Sequence, residues 1–134
     1  MIDFGLSYVY ALLNNGVVFY VGKTNDIHKR YLAHFSDIQC RNYIQHMRLR
    51  NDIPELKILH RSYNRYNTHD AEIEKTFIIY FSSMGNKLCN SVYNNKTNIY
   101  KLESILDMRF PSIKKNIKLE IVNKAIKEYK IHEL

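Results

Sequence analysis

Apolar and polar positions along the chain fall into a few clear patterns. Tyr8-Val9-Tyr10-Ala11-Leu12-Leu13 and Val17-Val18-Phe19-Tyr20-Val21-Gly22 are runs of aromatic and β-branched residues separated by Asn14-Asn15-Gly16, which predicts a strand, a tight turn and a second strand. The length of the turn decides which side chains meet. A two-residue Asn15-Gly16 turn pairs Tyr10 with Val21. A three-residue loop, with Asn14 and Asn15 in a type I turn and Gly16 left-handed, sets Leu13 against Val17 and Tyr10 directly against Tyr20. We expect the three-residue loop, which brings both tyrosines to one sheet face with Cβ atoms roughly 5 Å apart.

Helical spacing follows. Ile27, Tyr31 and Phe35 predict a short helix capped by Asn25 or Asp26, and a second helix is expected over Asp37–Leu49, broken by Asn51-Asp52-Ile53-Pro54. Glu55–Tyr63, with Leu56, Ile58 and Leu59, reads as a third strand. A long helix is expected from Thr68 or Asp70 to about Met84, with Ile73, Phe77, Ile78, Phe81 and Met84 as its apolar stripe and Gly85 as its stop. Beyond Lys96, Ile99, Leu102, Ile105 and Leu106 fit one helix, and Pro111 opens another carrying Ile113, Ile117, Ile121, Val122, Ala125, Ile126 and Tyr129. The expected fold is α/β in the α+β sense: a small, mainly antiparallel three-stranded sheet flanked by helices, with C-terminal helices appended. Residues 1–95 form the expected domain, and residues 96–134 a basic helical extension packed on or beside it.

Composition narrows the class without naming a chemistry. At 134 residues the chain has one domain's length, and 46% hydrophobic with 25% charged residues excludes a disordered or collagen-like protein. No apolar run approaches a bilayer span and no charged-then-apolar leader opens the chain, so we expect an intracellular protein, cytoplasmic or, in a eukaryote, nuclear. Cys40 and Cys89 are too few for a disulfide scaffold or a Cys-rich zinc site and are expected to be free thiols. The net charge of +7, with nine basic against five acidic residues from Lys96 onward, suits an anionic partner. The abundance of Asn, Ile, Lys and Tyr is also what an A/T-rich coding sequence yields, so the charge alone is modest evidence.

A few residues could carry chemistry. Glu74 shares a helix face with Phe77, Ile78 and Phe81, where a carboxylate needs an ion pair or a metal; Glu72, roughly 200° away, is expected in solvent. From pattern alone, an ion pair at the edge of the stripe is the simpler reading of Glu74. Arg30 and His34, four apart, project from one helix face and could engage a phosphate or move a proton, or simply be solvated. Tyr10 and Tyr20 could be half-buried packing. Gly22-Lys23, closing a strand before a helix, would let backbone and ammonium approach an anion but lacks the glycine spacing of a P-loop.

The order and spacing of these residues carry more than each alone. Tyr8-Val9-Tyr10, then Tyr20-Val21-Gly22, Lys23, Arg30, His34, Glu74 and Asn90 resemble the GIY-YIG nuclease family, whose catalytic module occurs in homing endonucleases, some restriction enzymes and the bacterial excision-repair incision nuclease. The resemblance spans about residues 6 to 95. It departs at Tyr8-Val9, where the family has Gly-Ile, and at Val21, where it has Ile. Glu74 is chosen over Glu72 by its helix face, and Asn90 over Asn94.

The resemblance implies a divalent-metal-dependent endonuclease that hydrolyses DNA phosphodiester bonds, in duplex or in branched and flap structures. Glu74 would be the protein ligand of Mg²⁺, with Mn²⁺ as a substitute. Tyr10 or Tyr20 would be the general base, with Lys23 as the nearby cation; Arg30 would stabilise phosphate charge; His34 would hydrogen-bond a tyrosine or the phosphate; Asn90 would hold the site together or touch the scissile phosphate. Lys29 to Arg65 is rich in cations, and Arg41, Arg48 and Arg50 on the second helix are the expected contacts to DNA backbone phosphates. The alternatives are a non-catalytic nucleic-acid-binding module on the same scaffold and an RNA nuclease. Monomer and homodimer are both open, and no membrane partner is expected.

Overall fold

Three antiparallel strands, β1 (Ser7–Asn14), β2 (Val17–Thr24) and β3 (Glu55–Ser62), form a sheet in the order β2-β1-β3. The computed structural model of the protein describes residues 6–62, 68–90 and 115–129. Around the sheet lie α1 (Ile27–Ala33), α2 (Arg41–Leu49), α3 (Thr68–Ser83) and α4 (Lys115–Tyr129). The class is α+β, as the sequence pattern predicts.

The hairpin corrects the expected loop. Asn15 and Gly16 take φ values of 52° and 85°, so the turn has two residues, both left-handed, and Asn14 pairs with Val17. Such a turn follows the twist of the strands it joins. The register then shifts between Leu12 and Leu13, leaving Phe19 as an extra residue on β2. Leu12 therefore pairs with Tyr20 and Tyr10 with Gly22, not with Tyr20 or Val21. Without that bulge Tyr20 would stand opposite Ala11 and point to the other face. The bulge, and not direct opposition, puts both tyrosines on one side of the sheet.

Each face has its own core. Val9, Ala11, Leu13, Val18, Val21 and Leu59 pack with Ile73, Phe77, Ile78 and Phe81 of α3 and with Val122 and Ala125 of α4. Tyr10, Leu12, Phe19 and Tyr20 pack on the opposite face with Ile27 and Tyr31 of α1 and Ile44 and Met47 of α2. The central strand is thus buried on both sides, which explains why Tyr8–Leu13 reads as a nearly continuous apolar run instead of an alternating one.

Helix ends differ from expectation in informative ways. Asp26 is the cap of α1, accepting the Lys29 N–H at 3.1 Å, and the helix ends at Ala33, short of Phe35. The second helix starts at Arg41, four residues later than expected, because residues 37–40 form turns and Asp37 spends one carboxylate oxygen on the Cys40 N–H at 2.7 Å. Gly85, with φ of 96°, closes the chain beyond α3. Glu72 is not in solvent: it is buried and ion-paired with Lys118 of α4, which is itself buried. The pattern of α3 alone left that flank to water, whereas α4 covers it. Ile117 is exposed, so the stripe of α4 rests on Val122 and Ala125 with Ile121 and Ile126 beside them. The helix expected around Ile99–Leu106, the start at Pro111 with Ile113, and the basic residue Arg65 lie outside the described residues.

Candidate active site

Tyr10 on β1, Tyr20 on β2, and Arg30 and His34 at the end of α1 come together on the α1–α2 side of the sheet. The Tyr10 and Tyr20 rings are 6.2 Å apart, and the His34 ring lies 5.7 Å from the first and 4.6 Å, edge-on, from the second. Arg30 bridges the hydroxyls. Its Nε donates to Tyr10 Oη at 3.2 Å and its Nη2 to Tyr20 Oη at 3.3 Å, which leaves Nη1 without a partner among the described residues. The four-residue spacing of Arg30 and His34 accounts for their shared direction, since His34 caps the C-terminus of α1 one turn beyond Arg30.

His34 is fully buried and both ring nitrogens are engaged: Nε2 lies 2.5 Å from Tyr10 Oη and Nδ1 lies 2.7 Å from Asp37 Oδ2. Burial, reinforced by the Arg30 charge and opposed by Asp37, holds its pKa below the usual histidine value, so the ring is neutral at neutral pH. Burial and the neighbouring Tyr20 push the Tyr10 hydroxyl well above its ordinary range despite Arg30, and burial pushes up Tyr20 as well. Neither phenol ionises unaided at neutral pH. Tyr10 is the one with a neutral imidazole at its oxygen to take the proton.

Gly22 makes room for this arrangement. A Cβ built there would stand 2.6 Å from Tyr10 Oη, 2.8 Å from Tyr10 Cζ and 2.9 Å from Tyr20 Cε2. The need at Gly22 is space for the two rings, a consequence of the register that sets it opposite Tyr10.

Glu74 is half-buried on α3, and its charge raises the pKa of Tyr20 slightly. Burial raises its pKa, opposed by Lys23, Arg30 and Lys75, yet no cation among the described residues pairs with it within 4.0 Å. A partly desolvated carboxylate with no ion-pair partner among the described residues fits a hard divalent ion, and Glu74 is the residue that would hold one. Lys23 faces Glu74 electrostatically, while the cation on the tyrosine hydroxyls is Arg30. His34, Asp37 and Cys40 also offer potential ligand atoms within 4.8 Å of one another. That group fits a metal less well, because both His34 nitrogens and both Asp37 oxygens already have partners and the Cys40 thiol hydrogen-bonds to Cys89. Cys40 and Cys89 are free thiols, as expected.

Asn90 lies at the edge of the sheet. Its Oδ1 accepts from the Val21 N–H at 3.0 Å and its Nδ2 donates to the Val21 carbonyl at 2.7 Å, so its amide is a substitute strand partner for β2. Asn86 Nδ2 on the Val18 carbonyl and the Cys89 N–H on the Phe19 carbonyl continue this edge. Arg41 and Arg48 on α2 and Arg50, its C-cap just past the helix, are exposed, and the inner side of α2, Ile44 and Met47, packs in the same core layer as the two tyrosines. An open groove of about 550 Å³ between α1 and β3 carries His28, Lys57 and Arg61 on the same layer. Lys57 is paired with Glu55 at 2.8 Å, which reduces the charge expected there.

The residue that pattern reading missed is Asp37, taken as no more than the start of a helix. Its signal was the His-x-x-Asp spacing, which places a carboxylate near a histidine once the chain turns there. No helix among the described residues is long and apolar enough to cross a membrane. No family model matches the chain, and neither a curated protein nor a solved structure matches it.

Proposed function

We propose that the protein is a divalent-metal-dependent endonuclease of the GIY-YIG type, hydrolysing phosphodiester bonds in DNA. The observation that carries this reading is the Arg30 guanidinium hydrogen-bonded to both tyrosine hydroxyls, with neutral His34 behind one of them. Tyr10, Tyr20, Arg30 and His34, from β1, β2 and α1, are in contact, and the resemblance names them together with Lys23, Glu74 and Asn90.

Hydrolysis needs a proton taken from water, charge neutralised on the phosphate and a stabilised leaving oxygen. Tyr10, whose hydroxyl is enclosed by Arg30 and His34, would take the proton of the attacking water once substrate binding opens that contact, as its own passes to His34. Arg30 stays charged and offers Nη1, without a partner among the described residues, to a phosphate oxygen, while its other nitrogens hold the two phenols in place. Glu74 would hold Mg²⁺ or Mn²⁺, which supplies Lewis-acid stabilisation of the phosphate when bound. Asn90 keeps β2, and with it Tyr20 and Gly22, in register. Arg41, Arg48 and Arg50 would contact backbone phosphates, with affinity that is salt-sensitive and largely independent of sequence.

Purified protein incubated with supercoiled plasmid, branched DNA and RNA, with Mg²⁺ and with EDTA, tests the reading. DNA cleavage that EDTA abolishes is the expected result. Cleavage of RNA alone would make it an RNA nuclease, and binding without cleavage of any substrate would make it a binding module.

A further inference from the structure

We propose that Asp37 is a positioning residue for catalysis: its carboxylate fixes His34 in the tautomer protonated on Nδ1, so that Nε2 is free to receive the Tyr10 hydroxyl proton. The inference rests on the reading of Tyr10 and His34 as the proton-accepting pair.

The donors and acceptors allow one assignment. A carboxylate only accepts, and Asp37 is engaged through both oxygens: Oδ1 with the Cys40 N–H at 2.7 Å, Oδ2 with His34 Nδ1 at 2.7 Å. Nδ1 therefore carries a hydrogen. At the other end of the ring, Tyr10 Oη already accepts from Arg30 Nε, and His34 Nε2 at 2.5 Å is the acceptor that its own O–H finds among the described residues. A proton on Nε2 would set two donors against one another across that gap and leave the buried phenol O–H unsatisfied. During turnover the Tyr10 O–H bond breaks and an Nε2–H bond forms while Tyr10 Oη gains the proton leaving water. Nδ1 keeps its hydrogen, and the imidazolium charge faces the Asp37 carboxylate. The same carboxylate anchors the turn into α2, so one side chain sets both the histidine tautomer and the entry to the helix that bears Arg41 and Arg48 and is capped by Arg50.

Ring ¹⁵N NMR of the intact protein, with His34 assigned through the backbone, reads the tautomer directly. The expected spectrum has a pyrrole-like Nδ1 and a pyridine-like Nε2 on His34; a pyrrole-like Nε2 would overturn the proposal. In Asp37→Asn the amide can donate to Nδ1, so the tautomer should reverse and turnover should fall on the order of a hundredfold with DNA affinity unchanged, whereas Asp37→Glu should retain the Nδ1–H form. An Asp37→Asn protein that keeps both the tautomer and the turnover would also overturn it. The wild-type spectrum needs no variant and no activity. A chain that cuts no nucleic acid but shows the Nδ1–H form therefore disproves the nuclease reading, and one that cuts with the opposite tautomer disproves the role of Asp37.

Discussion

Gly22 shows how much of this site is decided by single atoms. Its φ is not in the left-handed region, so the position requires the absence of a side chain and not backbone freedom. Tyr10 is fully enclosed and its hydroxyl is held by Arg30 and His34, so it cannot yield cheaply to a Cβ at 2.6 Å. Gly22→Ala should cost about 1–3 kcal/mol of stability, as overpacking does, and reduce turnover by at least about tenfold. Urea denaturation beside single-turnover cleavage checks both. The Gly22 motif was visible in the sequence, but its reason was not: the clearance depends on the register, and the register depends on a bulge at Phe19 that no local pattern announces. Asp37 was hidden for a related reason, since its hydrogen bonds exist only once the chain turns between Ala33 and Arg41.

At the scale of elements, local periodicity did best where an element packs against one neighbour. The strands, α1 and the stripe of α3 were legible from their apolar spacing alone. Glu72 was misread because α3 is covered on a second flank by α4, a pairing of segments more than forty residues apart that one helix's periodicity cannot reveal. The Glu72–Lys118 pair joins the two helices within the apolar surroundings of the sheet face under α3 and α4. Lys118→Met should destabilise the fold by about 3–5 kcal/mol, as breaking a buried ion pair does, whereas adding Glu72→Gln should recover part of that loss. Thermal or urea unfolding of the single and double variants measures the difference. An equally small effect in both would mean that solvent reaches the pair.

For the whole molecule, the two faces of the sheet divide the work. The face under α3 and α4 is an apolar core; the face under α1 and α2 holds the tyrosines, Arg30 and His34, with exposed cations on the same layer. Glu74 lies on α3, in the other layer, and its charge is felt by Tyr20 across the sheet. Replacing Arg41, Arg48 and Arg50 together by alanine should lower the slope of log affinity against log salt by about 2 to 3, near 0.9 for each phosphate no longer neutralised, without changing thermal stability. Fluorescence anisotropy on labelled duplex across a salt series reads that slope; an unchanged slope would place the DNA elsewhere. The most direct test of the central claim is single-turnover cleavage by wild type and by Glu74→Ala with Mg²⁺, alongside DNA affinity. The account predicts a loss of on the order of a hundredfold or more in metal-dependent cleavage with affinity changed by no more than about twofold. Wild-type cleavage by Glu74→Ala would contradict it.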